Sequence, residues 1–296
     1  MPASPRILIH LDHNPHPRVF DQIMSLDGGA DQILAHGDVD PQDVPVLVSG
    51  ALYSRPRDEL HRTALLITGT NDHVIDEMVR QARRAFFGPY RISLMSECKG
   101  GSTVAGATVA RVRQLVTLTK ARVVVIGGGP AGARVAGILS AEGARVRLSV
   151  FDEEEADERS SFVAQTFEEE IEAVVWKTGD PLASLVEGAR VVITAGPPGL
   201  LLLPRRVWSA IDGLELLVDI SGAEPAGIEG LSGEEDGDPL PNGHQNVLAV
   251  GGLAVSRYKI RVHRAAVQSM FAREAVVLGP VEIARLAREI ITPSLD

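Results

Sequence analysis

The sequence predicts a two-domain α/β protein built on parallel sheets. Three observations carry this. Short apolar runs alternate with longer amphipathic stretches along the chain, the pattern of strands joined by crossover helices. A glycine-rich turn in mid-chain opens a second such series. The chain has 296 residues, 45% of them apolar, which suits two cores of ordinary size.

Composition excludes several functions. Lys and Arg total 29 against 39 Asp and Glu, a net charge of -10. Such a surface repels a phosphate polyanion, so no nucleic-acid partner is expected. Aromatic residues at 4% are too few for a base-stacking platform. The single cysteine, Cys98, rules out an internal disulfide or a Cys-built zinc site and is expected to pack in a core. No apolar run reaches the roughly 18 to 20 residues that cross a bilayer. The run at 7–9 is too short for a signal-peptide core. The expectation is a cytoplasmic, acidic small-molecule enzyme.

In the first series, 7–11, 32–35, 64–68 and 92–95 read as strands. The clearest helix is 72–87, where Val74, Ile75, Met78, Val79, Ala82, Ala85 and Phe86 recur at helical spacing. Asn71 or Asp72 can cap it. The segment His10-Leu11-Asp12-His13-Asn14-Pro15-His16 invites a metal reading, but a proline-containing loop offers no helical face to converge the ligands. No metal is expected.

The second series starts with a helix at 103–118. Strand 123–126 and helix 130–142 follow, then strands 146–151, 173–175, 191–195 and 216–220. Residues 221–246, rich in Gly, Pro, Asp and Glu, read as a long surface excursion. Helical patterns return at 256–271 and 280–291. The expected domains are 1–103 and 104–277, with the C-terminal helix, about 278–291, packing back onto the first.

The strongest motif is Val123-Val124-Val125-Ile126-Gly127-Gly128-Gly129-Pro130-Ala131-Gly132. It leaves a strand and opens a helix, the context of a Rossmann-like dinucleotide site. Gly127 permits the turn, Gly129 lets the backbone approach a pyrophosphate, and Gly132 lets the helix close on the strand. Gly128, Pro130 and Ala131 complete the loop, and the helix N-terminus attracts the phosphates. Asp152 lies 20 residues after Gly132. A carboxylate there accepts ribose hydroxyls and favours NAD, while Glu153 to Glu155 repel a 2′-phosphate. Alternatively these acids simply suit a helix start, and Arg134 or Arg159 takes the phosphate of NADP. NADP or NAD is the expected cofactor. Ala195 and Gly196, in Thr194-Ala195-Gly196-Pro197-Pro198-Gly199, follow a later strand and are placed to line the nicotinamide.

Several phrases resemble one family. Asp27-Gly28-Gly29-Ala30-Asp31, Phe86-Phe87-Gly88-Pro89-Tyr90-Arg91 and Gly101-Ser102-Thr103 are similar to segments of bacterial NAD(P)-dependent methylene-tetrahydromethanopterin dehydrogenases. So are Ala195-Gly196 with Gly199-Leu200 and Leu203-Pro204, and Gly251-Gly252-Leu253 with Lys259 and His263-Arg264-Ala265. The resemblance runs from about residue 7 to 290. It implies an N-terminal α/β substrate domain beside a Rossmann-like, doubly wound NAD(P) domain, with a reduced pterin between them. It implies hydride transfer from the methylene carbon to NAD(P), giving the methenyl form, in one-carbon and formaldehyde oxidation. It also implies a homo-oligomer. Carried over by position, Phe20, Thr103, Lys259 and His263 match substrate-cleft residues, with Thr103, Lys259 and His263 nearest the chemistry. Phe20 is expected on the wall facing the other three. NADP-specific members tend to carry Arg and Lys where this chain has Phe151 and Asp152.

The residues fit that chemistry on their own terms. Hydride loss from an N–CH2–N carbon leaves a cation stabilised by its own nitrogens, so alignment and water exclusion suffice. Lys259 and His263 are four apart and share a helical face, although a solvated basic stripe with Arg257, Arg261 and Arg264 has the same pattern. Phe20 can pack on a ring or join a first-helix core with Ile23 and Met24. Thr103 can approach a ligand or merely cap a helix. Two rival functions remain at this level. One is the same reaction on methylene-tetrahydrofolate. The other is a non-catalytic NAD(P)-binding sensor.

Overall fold

The structure, a computed structural model, describes residues 4–177, 180–240 and 247–291. Its residues group into two compact units. One takes the chain through Thr103 together with Ile260–Leu286; the other takes Val104–Lys259 and the chain from Ala287.

The first unit alternates β1 (Ile7–Asp12), α1 (Val19–Asp27), β2 (Gln32–His36), α2 (Val44–Tyr53), β3 (Thr63–Gly69), α3 (Asp72–Ala85), β4 (Ser93–Cys98) and the start of α4 (Gly101–Leu115). Asn71 caps α3, its side chain accepting from the His73 and Val74 N–H groups. Apolar residues of β1, β3, β4, α2 and α3 form one core, in which Cys98 is fully buried.

The second unit continues with β5 (Arg122–Ile126), α5 (Pro130–Ala141), β6 (Arg145–Val150), α6 (Glu153–Phe167), β7 (Glu172–Val175), α7 (Leu182–Leu185), β8 (Val191–Thr194), α8 (Arg205–Trp208), β9 (Leu216–Asp219), β10 (Asp236–Pro239), β11 (Leu248–Val250) and the start of α9 (Gly252–Met270). The rest of α9 and β12 (Val277–Leu278) return to the first unit, as does α10 (Pro280–Ile290) as far as Leu286.

Both sheets are parallel where the alternation predicts it. The first has the order β12-β4-β3-β1-β2, and every neighbouring pair is parallel. The second has the order β10-β11-β9-β8-β5-β6-β7, with only β10 antiparallel. From β7 to β11 this is the doubly wound order, whose reversal falls between β5 and β8.

Three expectations change. The excursion at 221–246 is not all irregular, because Asp236–Pro239 pairs with β11; Pro241 to Asn246 lie outside the described residues. The helix expected from 256 begins at Gly252. The return to the first unit starts at Ile260 rather than 278, because β12 pairs with β4 and brings the chain before it along. Among the described residues, no helix is long and apolar enough to cross a membrane.

Candidate active site

The glycine loop after β5 sits where the second sheet reverses its winding. Gly127 has φ +120°, in the region that favours glycine, and its N–H donates to Ser149 Oγ at 3.0 Å. A Cβ on Gly127 would lie 2.6 Å from the Gly196 nitrogen. The Ala195 N–H donates to the Ile126 carbonyl at 2.8 Å. So Ala195-Gly196 and the glycine turn, nearly 70 residues apart in sequence, form one wall.

Gly129 caps α5 in an extended conformation, and Pro130 takes the first helical position. The N–H groups of Ala131 and Gly132 come before any intrahelical acceptor. A Cβ on Gly129 would meet no atom within 4 Å. This is open space before a helix N-terminus, which fits the pyrophosphate of NAD(P). Gly129→Val should therefore fold normally yet bind the dinucleotide at least tenfold more weakly, roughly 1.4 kcal/mol. Calorimetric titration with an unchanged Kd would remove the phosphates from this loop.

Asp152 and Glu155 show what the acidic run does locally. Asp152 is the N-cap of α6, its Oδ1 accepting the Glu155 N–H at 2.8 Å. Glu155 Oε2 accepts the Phe151 N–H at 2.8 Å, a near relative of the capping box. Glu155 Oε1 reaches the loop, 3.1 Å from where a Gly128 Cβ would stand. Sequence reasoning named Glu155 only within the repelling acidic run; its spacing of three from Asp152 was the signal for this capping role. Arg134 and Arg159 are engaged nearby. Arg134 donates to the Pro130 carbonyl at 3.0 Å and lies 4.8 Å from the Phe162 ring centroid. Arg159 pairs with Glu155 at 3.9 Å and Glu158 at 3.3 Å.

Asp219, at the end of β9, was also missed. Its carboxylate accepts the Gly227 N–H at 2.8 Å, the Ser221 N–H at 3.1 Å and the Thr194 hydroxyl at 2.9 Å. Burial raises its pKa against the pull of these donors. It ties the end of β8 to the start of the excursion.

In the first unit, the Phe20 and His263 rings meet edge to face with centroids 5.7 Å apart. They are neighbours rather than facing walls. Met24 is buried while Ile23 is half exposed, so α1 turns only part of its apolar set inward. Thr103 is fully buried, and its N–H donates to Glu97 Oε1 at 2.8 Å. The Ser102 N–H donates to Glu97 Oε2 at 2.9 Å. Glu97, unnoticed in the sequence, is thus the acceptor at the start of α4 and positions Thr103. Lys259 and His263 are one turn apart on α9, as their spacing predicts. His263 is fully buried, which departs from a solvated stripe.

The Asp27–Asp31 phrase has a structural basis. A Cβ on Gly28 would lie 2.7 Å from Val267 Cβ, so glycine lets α9 close on α1. Asp27 pairs with Arg264 on the same helix.

A second buried group stands where β1 and β3 end. Thr68 Oγ1 donates to Asp12 Oδ2 at 2.5 Å, and His10 Nε2 lies 2.7 Å from Thr68 Oγ1. Asn14 donates to Asp12 Oδ1 through its backbone N–H at 2.8 Å and its side-chain amide at 2.9 Å. His10, Asp12 and Thr68 are fully buried. Burial lowers the His10 pKa to about 4, Asp12 opposing and Arg18 assisting.

Residues 19–99 match the family model of the methylene-tetrahydromethanopterin dehydrogenase N-terminal domain, and 115–226 match an NAD(P)-binding family model. The bifunctional protein MdtA of Methylorubrum extorquens is 32% identical over 97% of this chain and 99% of its own. The NAD(P)-dependent methylenetetrahydromethanopterin dehydrogenase of the same organism is 28% identical over 93% and 95%. Among solved structures, a 5-ketofructose reductase from a Gluconobacter species aligns with TM-score 0.52 at 14% identity, covering 97% of this chain and 99% of that one. Ornithine carbamoyltransferase from Pyrococcus furiosus aligns with TM-score 0.51 at 10% identity, covering 90% and 83%. A transferase and a reductase share the architecture, so these two likenesses speak for the fold alone. With a full-length relative at 32% identity and both domain models in register, the chain belongs to the methylene-tetrahydromethanopterin dehydrogenase family.

Proposed function

We propose that the protein moves a hydride from the methylene carbon of methylene-tetrahydromethanopterin to NAD(P), leaving the methenyl form. The observation that carries this is the pairing of a methylene-tetrahydromethanopterin dehydrogenase N-terminal domain with a glycine loop that opens before a helix N-terminus. Bound NAD(P) supplies the hydride acceptor at nicotinamide C4. The chain's own work is binding and alignment. The Gly127–Gly132 turn holds the pyrophosphate, and Ala195-Gly196 lines the nicotinamide side. Thr103, fixed by Glu97, and the Phe20–His263 pair hold the pterin, with Lys259 one turn along. Because the product cation is stabilised by its own nitrogens, no residue has to carry a proton. We place the reaction in cytoplasmic one-carbon oxidation and the protein in a homo-oligomer.

An anaerobic assay tests this by following methenyl formation with NAD and NADP in parallel. Methylene-tetrahydrofolate serves as the competing substrate. Turnover only with the folate form would reassign the substrate. Dinucleotide binding without turnover on either pterin would make the protein a sensor. Lys259→Met should lower kcat/KM at least tenfold, about 1.4 kcal/mol, while leaving the dinucleotide Kd unchanged. A wild-type kcat/KM in that variant would remove Lys259 from the site.

For cofactor choice, Asp152 and Glu155 favour NAD, since a 2′-phosphate would face carboxylates. Asn caps a helix as well as Asp does, so Asp152→Asn removes charge without loosening α6. The ratio of kcat/KM for NADP over NAD should rise about tenfold or more in this variant. A wild type that prefers NADP, with a ratio unmoved by the substitution, would show that Asp152 is not the selector.

A further inference from the structure

Asp219 is the last residue of β9 and pairs in register with Thr194, the last of β8. It is 1% exposed. A buried carboxylate is costly unless its oxygens meet donors, and the hydride transfer proposed above gives this one no proton to move. Its Oδ1 accepts the Thr194 hydroxyl at 2.9 Å and the Ser221 N–H at 3.1 Å. Its Oδ2 accepts the Gly227 N–H at 2.8 Å.

Two of these donors lead to the two limbs of one loop. Thr194 enters Ala195-Gly196, the wall beside the glycine turn. The chain then runs exposed through residues 197–201 and returns at Leu202 and Leu203. The N–H groups of Leu202 and Leu203 both donate to the Gly227 carbonyl, at 2.8 and 2.9 Å. Beyond that point Leu203 bridges Ile228 in parallel, and the Glu229 N–H donates to the Leu203 carbonyl at 3.0 Å. Gly227 is thus held by Asp219 at its nitrogen and holds the return limb with its oxygen. A Cβ on Gly227 would lie 2.8 Å from Thr194 Oγ1, so glycine is what lets this residue come so near the entry limb.

We propose that Asp219 is the positioning residue for the nicotinamide. Through Thr194 on one limb and Gly227 on the other, a single carboxylate fixes the Ala195-Gly196 wall, and the wall fixes the ring. The proposal rests on the reading of the glycine loop as a dinucleotide site. It divides the work of binding: the turn before α5 holds the pyrophosphate, and Asp219 governs only the nicotinamide end.

A carboxylate is required because both oxygens accept. An asparagine offers one accepting oxygen and turns its NH2 toward donors that then have no acceptor. Asp219→Asn therefore keeps the size of the side chain but releases at least one limb. Thr194→Val keeps the shape of Thr194 and removes the hydroxyl that ties the entry limb, whereas Thr194→Ser retains that hydroxyl.

The test compares, by calorimetry, NADH with ADP-ribose, and NADPH with 2′-phospho-ADP-ribose, the same molecules without nicotinamide. Wild type should bind the better reduced dinucleotide about tenfold or more tighter than its nicotinamide-free fragment. Asp219→Asn and Thr194→Val should lose most of that advantage while the Kd of the fragment stays within about twofold. Thr194→Ser should restore it. A general loosening of the unit would weaken both ligands alike. Should Asp219→Asn fail to fold, the two Thr194 variants decide alone. A wild type that binds each pair equally overturns the proposal. So do a Thr194→Val protein that keeps the advantage, or a fragment affinity that falls in step. These affinities need no pterin. A protein that oxidises neither pterin would sink the proposed reaction alone, and an unmoved affinity ratio would sink the role of Asp219 alone.

Discussion

Gly132→Ala is expected to destabilise the protein by about 3 kcal/mol or more, at the upper end of overpacking effects. A Cβ on Gly132 would lie 1.9 Å from the Gly127 carbonyl oxygen and 3.4 Å from Ala195 Cβ. The first of these is backbone, held by the same turn, so neither can move without opening the loop. Since domains are marginally stable, thermal denaturation should show a large fall in Tm or no soluble protein. Gly129→Val, three residues earlier, supplies the contrast, because it meets open space and should keep the wild-type Tm. A Gly132→Ala protein with wild-type Tm would show that α5 does not close on the turn as described.

Acid should destabilise the first unit through His10. Thr68 Oγ1 gives its proton to Asp12 and must accept from His10 Nε2, which places the imidazole hydrogen on Nε2. His10 Nδ1 is buried with no hydrogen-bond partner among the described residues. Protonation there puts a donor where nothing accepts it. With the folded pKa at about 4 and the ordinary value at 6.5, the unfolded chain binds the proton first. The contribution is complete above pH 6.5 and is lost as pH falls from there to about 4. Its full size is roughly 3 kcal/mol. Urea midpoints measured from pH 7.5 to 4 should fall less steeply in His10→Gln than in wild type. Parallel falls would assign the acid sensitivity to other groups.

The glycine turn was legible because its pattern is local: strand, turn and helix lie within ten residues. α3 was legible for a similar reason, since Asn71 and the apolar spacing act within one element. The His10–Thr68–Asp12 group was not. Its members meet only because β1 and β3 pair with His10 beside Leu66 and Asp12 beside Thr68, a register set by tertiary packing. β12 has two residues, too few for any periodicity. Glu97 reads as an ordinary acid at the end of a strand until α4 starts over it.

The late position of β12 also bears on synthesis. A ribosome delivers β1 to β4 first, yet β4, five of whose six residues are buried, receives its outer neighbour only with Val277 and Leu278. Until then β4 has an uncovered edge of the kind that nascent chains join by mistake. The stretch Val104–Lys259 has its own sheet and emerges without interruption. A fragment ending at Thr103 should aggregate, whereas a rearranged gene placing 260–286 ahead of residue 4 would give the first unit its strands in the order it needs them.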